Sequence, residues 1–373
     1  MATKVLGLLN LYSSPELGKL TAKRAPGAVS FMGRFALMDF PLSNFTNSGI
    51  DEFSIIVKNN IRSVTKHVGS MKTWVCNTKI GHQFLLVNEQ GIADEDINTD
   101  LNNLAVNEWV FDESNPDLVV IQPAHILTTM DLRKVIEAHK ASGSEITVAY
   151  KKIKNADKDF VKGDVLEVTK DGEIINSKRN SGDHKVANVS LETYVINKDF
   201  LLKLIHDKKA LRELTLRKAI IKFIKGKTVR VMGYEYEGFA MMFDCFETFM
   251  KNSFRLLNYE EASQLFDNNW TAYTIHHSAL PSIYGENAKV KNSFVANGAQ
   301  ILGRVENSII SRDVKVAEGA VIKNSILLTS VEVKEGALVE NALLDKHVKI
   351  SKNAEVIGHK TEYRYIEQGK VIK

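Results

Sequence analysis

Only two cysteines, Cys76 and Cys245, occur in 373 residues, far apart and without metal-ligand spacing. That scarcity excludes a disulfide-stapled scaffold and a thiolate metal site, leaving two ordinary reduced thiols. Long apolar runs are also missing: no segment approaches the ~18 continuous apolar residues that a membrane span needs. The short apolar stretch within Met1–Asn10 has no cleavage-type sequence after it, and reads as a first buried strand rather than a secretion signal. Blocks of like charge are absent too. Lysines and glutamates intersperse and the net charge is only +4, which argues against a nucleic-acid or membrane surface. The expectation is a cytoplasmic globular protein, long enough for two domains at roughly 100–200 residues each.

What is present begins with a repeat. From Val305 to Val356 an aliphatic residue recurs at spacings of 5, 6 and 6, a 17-residue period repeated three times. Other residues keep the same period. Val305-Glu-Asn-Ser308, Ile322-Lys-Asn-Ser325 and Val339-Glu-Asn-Ala342 follow one another at 17, and Val290-Lys-Asn-Ser293 is an earlier copy two residues short. On a helix of 3.6 residues per turn such aliphatics would drift around the axis. A triangular coil of three short strands points each of them inward, and coils bury them only by stacking. The spacing predicts a parallel β-helix of about four coils over residues 285–358.

The first 255 residues read differently. Apolar runs at Val5–Leu11, Phe53–Val57, Leu118–Ile121 and Ile146–Tyr150 alternate with helical stretches such as Asp131–Lys140 and Asp199–His206. That alternation predicts an α/β domain with a mostly parallel, doubly wound sheet over 1–255. Residues 256–284 then form a linker, and 285–373 the β-helix, with Thr361–Lys373 (Tyr363, Tyr365, Ile366) as a cap or a surface for a partner subunit.

The block Thr21–Ile50, with Ile55–Val57, His67–Gly69, Val119–Ile121, His125, Asp131 and Ala342–Ile350, resembles bacterial glucose-1-phosphate adenylyltransferases over nearly the whole chain. The resemblance implies a Rossmann-like, GT-A-like nucleotidyltransferase domain, followed by a left-handed parallel β-helix of hexapeptide-type repeats. It also implies a chemistry: condensing ATP with glucose 1-phosphate needs backbone N–H groups around a triphosphate, a cation on the pyrophosphate, and carboxylates for magnesium. Here the family's glycine-rich GGxGTRL loop is Leu11-Tyr-Ser-Ser-Pro-Glu-Leu17. The glycines are gone, Pro15 has no N–H, and Glu16 stands where the family has arginine. Ala124 and Met242 replace the two magnesium carboxylates, with Asp244 two positions along on the opposite face if this segment is a strand.

Four damaged parts of one site predict a protein that is inactive alone. Within the family the chain is most similar to the GlgD-type regulatory branch. That implies a hetero-oligomer, a tetramer, in which it activates a catalytic subunit making ADP-glucose for glycogen, holds no tight cofactor, and leaves Mg2+ to the partner. Lys23 and Arg24 match basic positions used for anionic effectors, although the next two basic positions are Pro26 and Ala36. Lys178 lies near the sugar-phosphate lysine. Asp39, Ser43 and Asn44 read as buried structural groups, and Trp74, Trp109 and Trp270 as core or interface residues. The competing expectations are an active enzyme using Ser13 and Ser14 with Asp131 or Asp244 on metal, and a β-helix acyltransferase using His347.

Overall fold

A computed structural model describes residues 3–77, 81–90, 97–207, 211, 215–267 and 269–373. The N-terminal domain is built on a nine-stranded sheet. Its spine runs Ile174–Arg179, Asp164–Val168, Ala187–Asn197, Leu118–Pro123, Val5–Asn10, Phe53–Val57, Gln83–Val87. Ile146–Ile153 lies on Ala187–Asn197, and Val231–Glu235 on Ile146–Ile153. The apolar runs at Val5, Phe53, Leu118 and Ile146 are strands, and helices Leu132–Ser142 and Lys198–His206 occupy the two helical stretches.

The sheet is mixed, not mostly parallel. The four strands from Leu118–Pro123 to Gln83–Val87 are parallel. Ala187–Asn197 instead runs antiparallel to both Leu118–Pro123 and Ile146–Ile153. Tight turns such as Asp171–Gly172 join these later strands, where the parallel half needs crossover helices.

The C-terminal residues form three parallel sheets of six, five and five short strands, which stack from Ile283–Tyr284 to Val371–Ile372. The stack is one coil longer than the period indicated. Thr361–Lys373 does not cap it: Arg364–Ile366 pairs with Ala342–Leu344, and Val371–Ile372 with Lys349–Ile350. Five extra residues at the corner after Ile357 break the period there and hide this last coil from the sequence. The periodic aliphatics Val305, Ile310, Val316, Ile322, Leu327, Val333, Val339, Leu344, Ile350 and Val356 all line the interior.

The Asn-Ser motif has its own explanation. Asn292, Asn307, Asn324 and Asn341 occupy left-handed corners with φ of 43–50°, where asparagine is tolerated better than most residues. Each amide donates to the next: Asn292 to Asn307 at 2.9 Å, Asn307 to Asn324 at 2.8 Å, Asn324 to Asn341 at 3.3 Å, and Asn341 to the Gly358 carbonyl at 3.1 Å. The adjoining serines form a second ladder, Ser308 and Ser325 each accepting a backbone N–H from the next coil at 3.1 Å.

An apolar cluster joins the domains. Phe31 and Phe35 of the hairpin Ser30–Phe31/Phe35–Ala36, with Phe243, Phe249 and Met250, pack against Ile309, Ile326 and Leu343 of one β-helix face. Helix Phe246–Arg255 adds ring contacts from Phe246 to Tyr365 and Phe254 to Tyr363. Beside the cluster, buried Arg24 donates to Asp345 at 2.6 Å, and Tyr365 donates to the same carboxylate at 2.7 Å.

Asn324→Ala removes two ladder hydrogen bonds and puts a β-carbon side chain that cannot bond locally into a left-handed corner, and should cost about 2–3 kcal/mol. Asn324→Gly loses the same bonds without the steric term and should cost about 1 kcal/mol less. Chemical-denaturation midpoints of the two variants check this; equal losses would refute the corner argument.

Candidate functional site

Strand Val5–Asn10 delivers the chain into the loop Leu11–Leu17, which forms one wall of a cavity of about 490 Å3. Tyr12, Ser13, Pro15 and Glu16 line it, with Asp100, His125, Lys162, Arg179, Glu192, Thr215, Arg217, Lys218, Met242 and Asp244. Two of the loop's amides are spent on side chains that flank it. The Tyr12 N–H donates to Asn10 Oδ1 and that of Leu17 to Thr21 Oγ1, both at 2.9 Å. Pro15 has none to give. The Tyr12 hydroxyl accepts from Asn103 at 3.1 Å, and burial pushes its pKa up to about 12.

The sequence-derived positions scatter. Glu16 is exposed on the cavity wall; Ala124 is fully buried in the core against Gly27, and Met242 is a buried part of the lining. Asp244 is not on the opposite face: residues two apart in an extended chain share a side, and Asp244 lines the cavity together with Met242. Its carboxylate accepts the Thr248 hydroxyl at 2.7 Å. Asp131 is outside the cavity, capping helix Leu132–Ser142 and clamped by Arg133 at 2.8 Å twice. Ser13 lines the cavity, while the Ser14 hydroxyl is buried without a partner.

Lys178 faces another groove with Lys152, Glu167 and His184; strand alternation gives the cavity Arg179 instead. His347 sits exposed at a β-helix corner with φ of 62°, not in a strand. Lys23 is exposed, and Arg24 is committed to Asp345. Asp39 accepts from Ala36 N–H and contacts His67, and Asn44 links Thr128, Met130 and Trp270, as buried structural groups do. Trp74 is fully buried, but Trp109 is 46% exposed.

The cavity's charged centre went unread in the sequence. Arg217, in the first turn of helix Leu216–Gly226, binds Asp164 through two bonds at 2.6 and 2.5 Å and approaches Glu192 at 3.5 Å. Arg179 reaches Asp164 at 3.5 Å, and His125 lies 3.9 Å from Glu192. Burial, with the positive field of Arg217 and Arg179, lowers the His125 pKa to about 3 and keeps the ring neutral. Burial raises the Glu192 pKa to about 7, against the pull of Arg217. Asp100, also raised by burial, accepts from Asn10, Leu101 and Leu216 at 2.9 Å each. One signal was available: Glu192 is the lone charge in the apolar strand Ala187–Asn197.

Three of these carboxylates do not suit magnesium. Asp164 is clamped by a guanidinium and Asp100 by three N–H groups, and the buried Glu192 favours its proton, whereas Asp244 accepts a single hydroxyl. A divalent ion needs free, ionised oxygens.

Because the folded state raises the Glu192 pKa above the ordinary carboxylate range, it binds that proton more tightly than the unfolded chain does. This contribution to stability is whole below about pH 4.5 and is lost as pH rises through about 7. Glu192→Gln should flatten that fall, which is on the order of 3 kcal/mol. Denaturation from pH 4.5 to 8.5 measures it, and parallel curves for both proteins would refute the assignment.

Residues 16–160 match a nucleotidyl transferase family model and residues 280–367 a GlmU-like C-terminal hexapeptide model. The glycogen biosynthesis protein GlgD of Bacillus subtilis is 28% identical over 83% of this chain and 79% of its own length. The glucose-1-phosphate adenylyltransferases of Clostridium perfringens and Thermosipho africanus are 25% and 28% identical over 83% of this chain, and over 79% and 75% of theirs. Both halves of the fold and matches along most of the length agree: the chain is similar to GlgD and to glucose-1-phosphate adenylyltransferases over about four-fifths of its length.

Proposed function

We propose that this chain is a regulatory subunit of glycogen biosynthesis, without useful catalysis of its own, which raises the activity of a catalytic adenylyltransferase partner in a hetero-oligomer. The observation that carries the reading is the loop Leu11–Leu17. A triphosphate is held by free backbone N–H groups, and this loop spends those of Tyr12 and Leu17 on flanking side chains, has none at Pro15, and adds a negative charge at Glu16. The alternative, an active enzyme with a rearranged loop, keeps Ser13 and Asp244 on the wall but lacks Asp131 there, and the exposed carboxylate of Glu16 lies on the loop that would have to hold the triphosphate. ADP-glucose formation from ATP, glucose 1-phosphate and Mg2+ tests the reading. The chain alone should be silent, and adding it to the catalytic subunit from the same cell should raise turnover about tenfold or more, a coupling of some 1.4 kcal/mol. Robust turnover by the chain alone, or a mixture no faster than the partner, would overturn it.

The domain boundary supports an anionic effector, built from more than Lys23 and Arg24. Burial, then repulsion from Arg24, Lys66 and Arg312, lowers the Lys346 pKa, so these cations crowd one place. Arg24 Nη1 and Arg312 Nε are buried there without partners. A phosphate-type anion would relieve both. In the mixed assay, Lys346→Gln should raise the inorganic phosphate concentration for half-maximal effect about fivefold or more; an unchanged titration counts against this seat.

A further inference from the structure

The cavity of about 490 Å3 holds a buried charge cluster that neither the loop argument nor the domain boundary uses. We infer that Arg217 and Arg179 form a seat for a phosphate-type dianion inside the cavity, and that Asp164 and Glu192 fill this seat with the chain's own negative charge. The inference rests on the reading that the cavity no longer turns substrate over.

Three independent features carry it. The first is the cation set: Arg217 and Lys218 in the opening turn of helix Leu216–Gly226, facing Arg179 and Lys162 from other elements. Such a grouping of cations is what a phosphate group requires. The second is its occupancy. Asp164 takes both arms of the Arg217 fork, the bidentate pairing a phosphate would make, and Glu192 lies 3.5 Å from the same guanidinium.

The third is the backbone at Glu192, which has φ of +49° in the middle of a buried strand. The pairing of Ala187–Asn197 with Ile146–Ile153 slips between Ser190 and Thr193, so two extra residues, Leu191 and Glu192, bulge at this point. A glutamate in the left-handed region, 8% exposed, is a conformation the chain holds against local preference. Its Oε2 and the neighbouring His125 Nδ1 are buried without hydrogen-bond partners. The groups facing Glu192 are His125 from the segment after Leu118–Pro123, Arg217, Asp164, Arg179, Asp100 and, on its own strand, Tyr194. With His125 neutral, Glu192 is the member of this set whose charge changes near neutrality. The seat is therefore closed when Glu192 is ionised and eased when it is protonated.

Sulfate is the probe, because it remains a dianion across the working range. Calorimetric titration of the full chain at about pH 5.5 and 8.5 should show the wild type losing about tenfold or more in affinity at the higher pH. Glu192→Gly, which suits the left-handed backbone, should bind equally at both pH values and about tenfold more tightly than wild type at pH 8.5. Adding Arg217→Gln to it should abolish the gain. Glu192→Gln, which keeps the side chain's size, carries the test if the glycine variant does not fold. The inference is overturned if the folded variants bind sulfate no better than wild type at pH 8.5, or if the gain survives Arg217→Gln. These titrations need no partner subunit, so they fail or succeed separately from the activation assay.

Discussion

The burial of one β-helix face against the N-terminal domain is the contact on which the remaining geometry depends. Phe31, Phe243 and Phe249 meet Ile309, Ile326 and Leu343 in a buried apolar cluster. The segment Met242–Asp244 on the cavity wall runs directly into helix Phe246–Arg255, whose apolar side completes that cluster. The cavity lip is thus fixed by the same packing that holds the domains together. Arg24 and Asp345, buried beside it, set the orientation further, since a buried charge pair tolerates little misalignment. A change at the domain boundary can reach the cavity through this one helix.

The fold was legible in the sequence where periodicity was strict. Ten aliphatics at a 17-residue period can face inward only in a triangular coil, and all ten do. Strand and helix alternation located the elements of the first domain. It did not show that Ala187–Asn197 runs antiparallel, because a buried strand of either direction reads as the same apolar run. The last coil was hidden by five inserted residues rather than by any change in its chemistry.

The site was legible by loss and illegible by gain. The missing glycines of Leu11–Leu17 and the residues Glu16, Ala124 and Met242 stand out against the family's motifs. Asp164, Glu192 and Arg217 have no motif, and they meet only because two strands and a helix start converge from positions 28 and 25 residues apart. Alternation was decisive in one case: Lys178 and Arg179 are neighbours in the chain but face different spaces. Arg24 shows a related limit, because its partner Asp345 lies in the other domain.

The asparagine ladder has a consequence for how the length of the chain can change. Each rung requires the next asparagine to stand over the last, at intervals of 17 residues in the regular coils and 15 between Asn292 and Asn307. A deletion or insertion within a strand would throw both the rungs and the inward aliphatics out of register. Whole coils can be gained or lost without that penalty, and so can residues confined to a corner, as the five after Ile357 demonstrate. Changes of length in this domain are thereby confined: it can grow or shrink coil by coil, or lengthen and trim its corners, as the two residues missing after Ile301 show, while its strands keep their length.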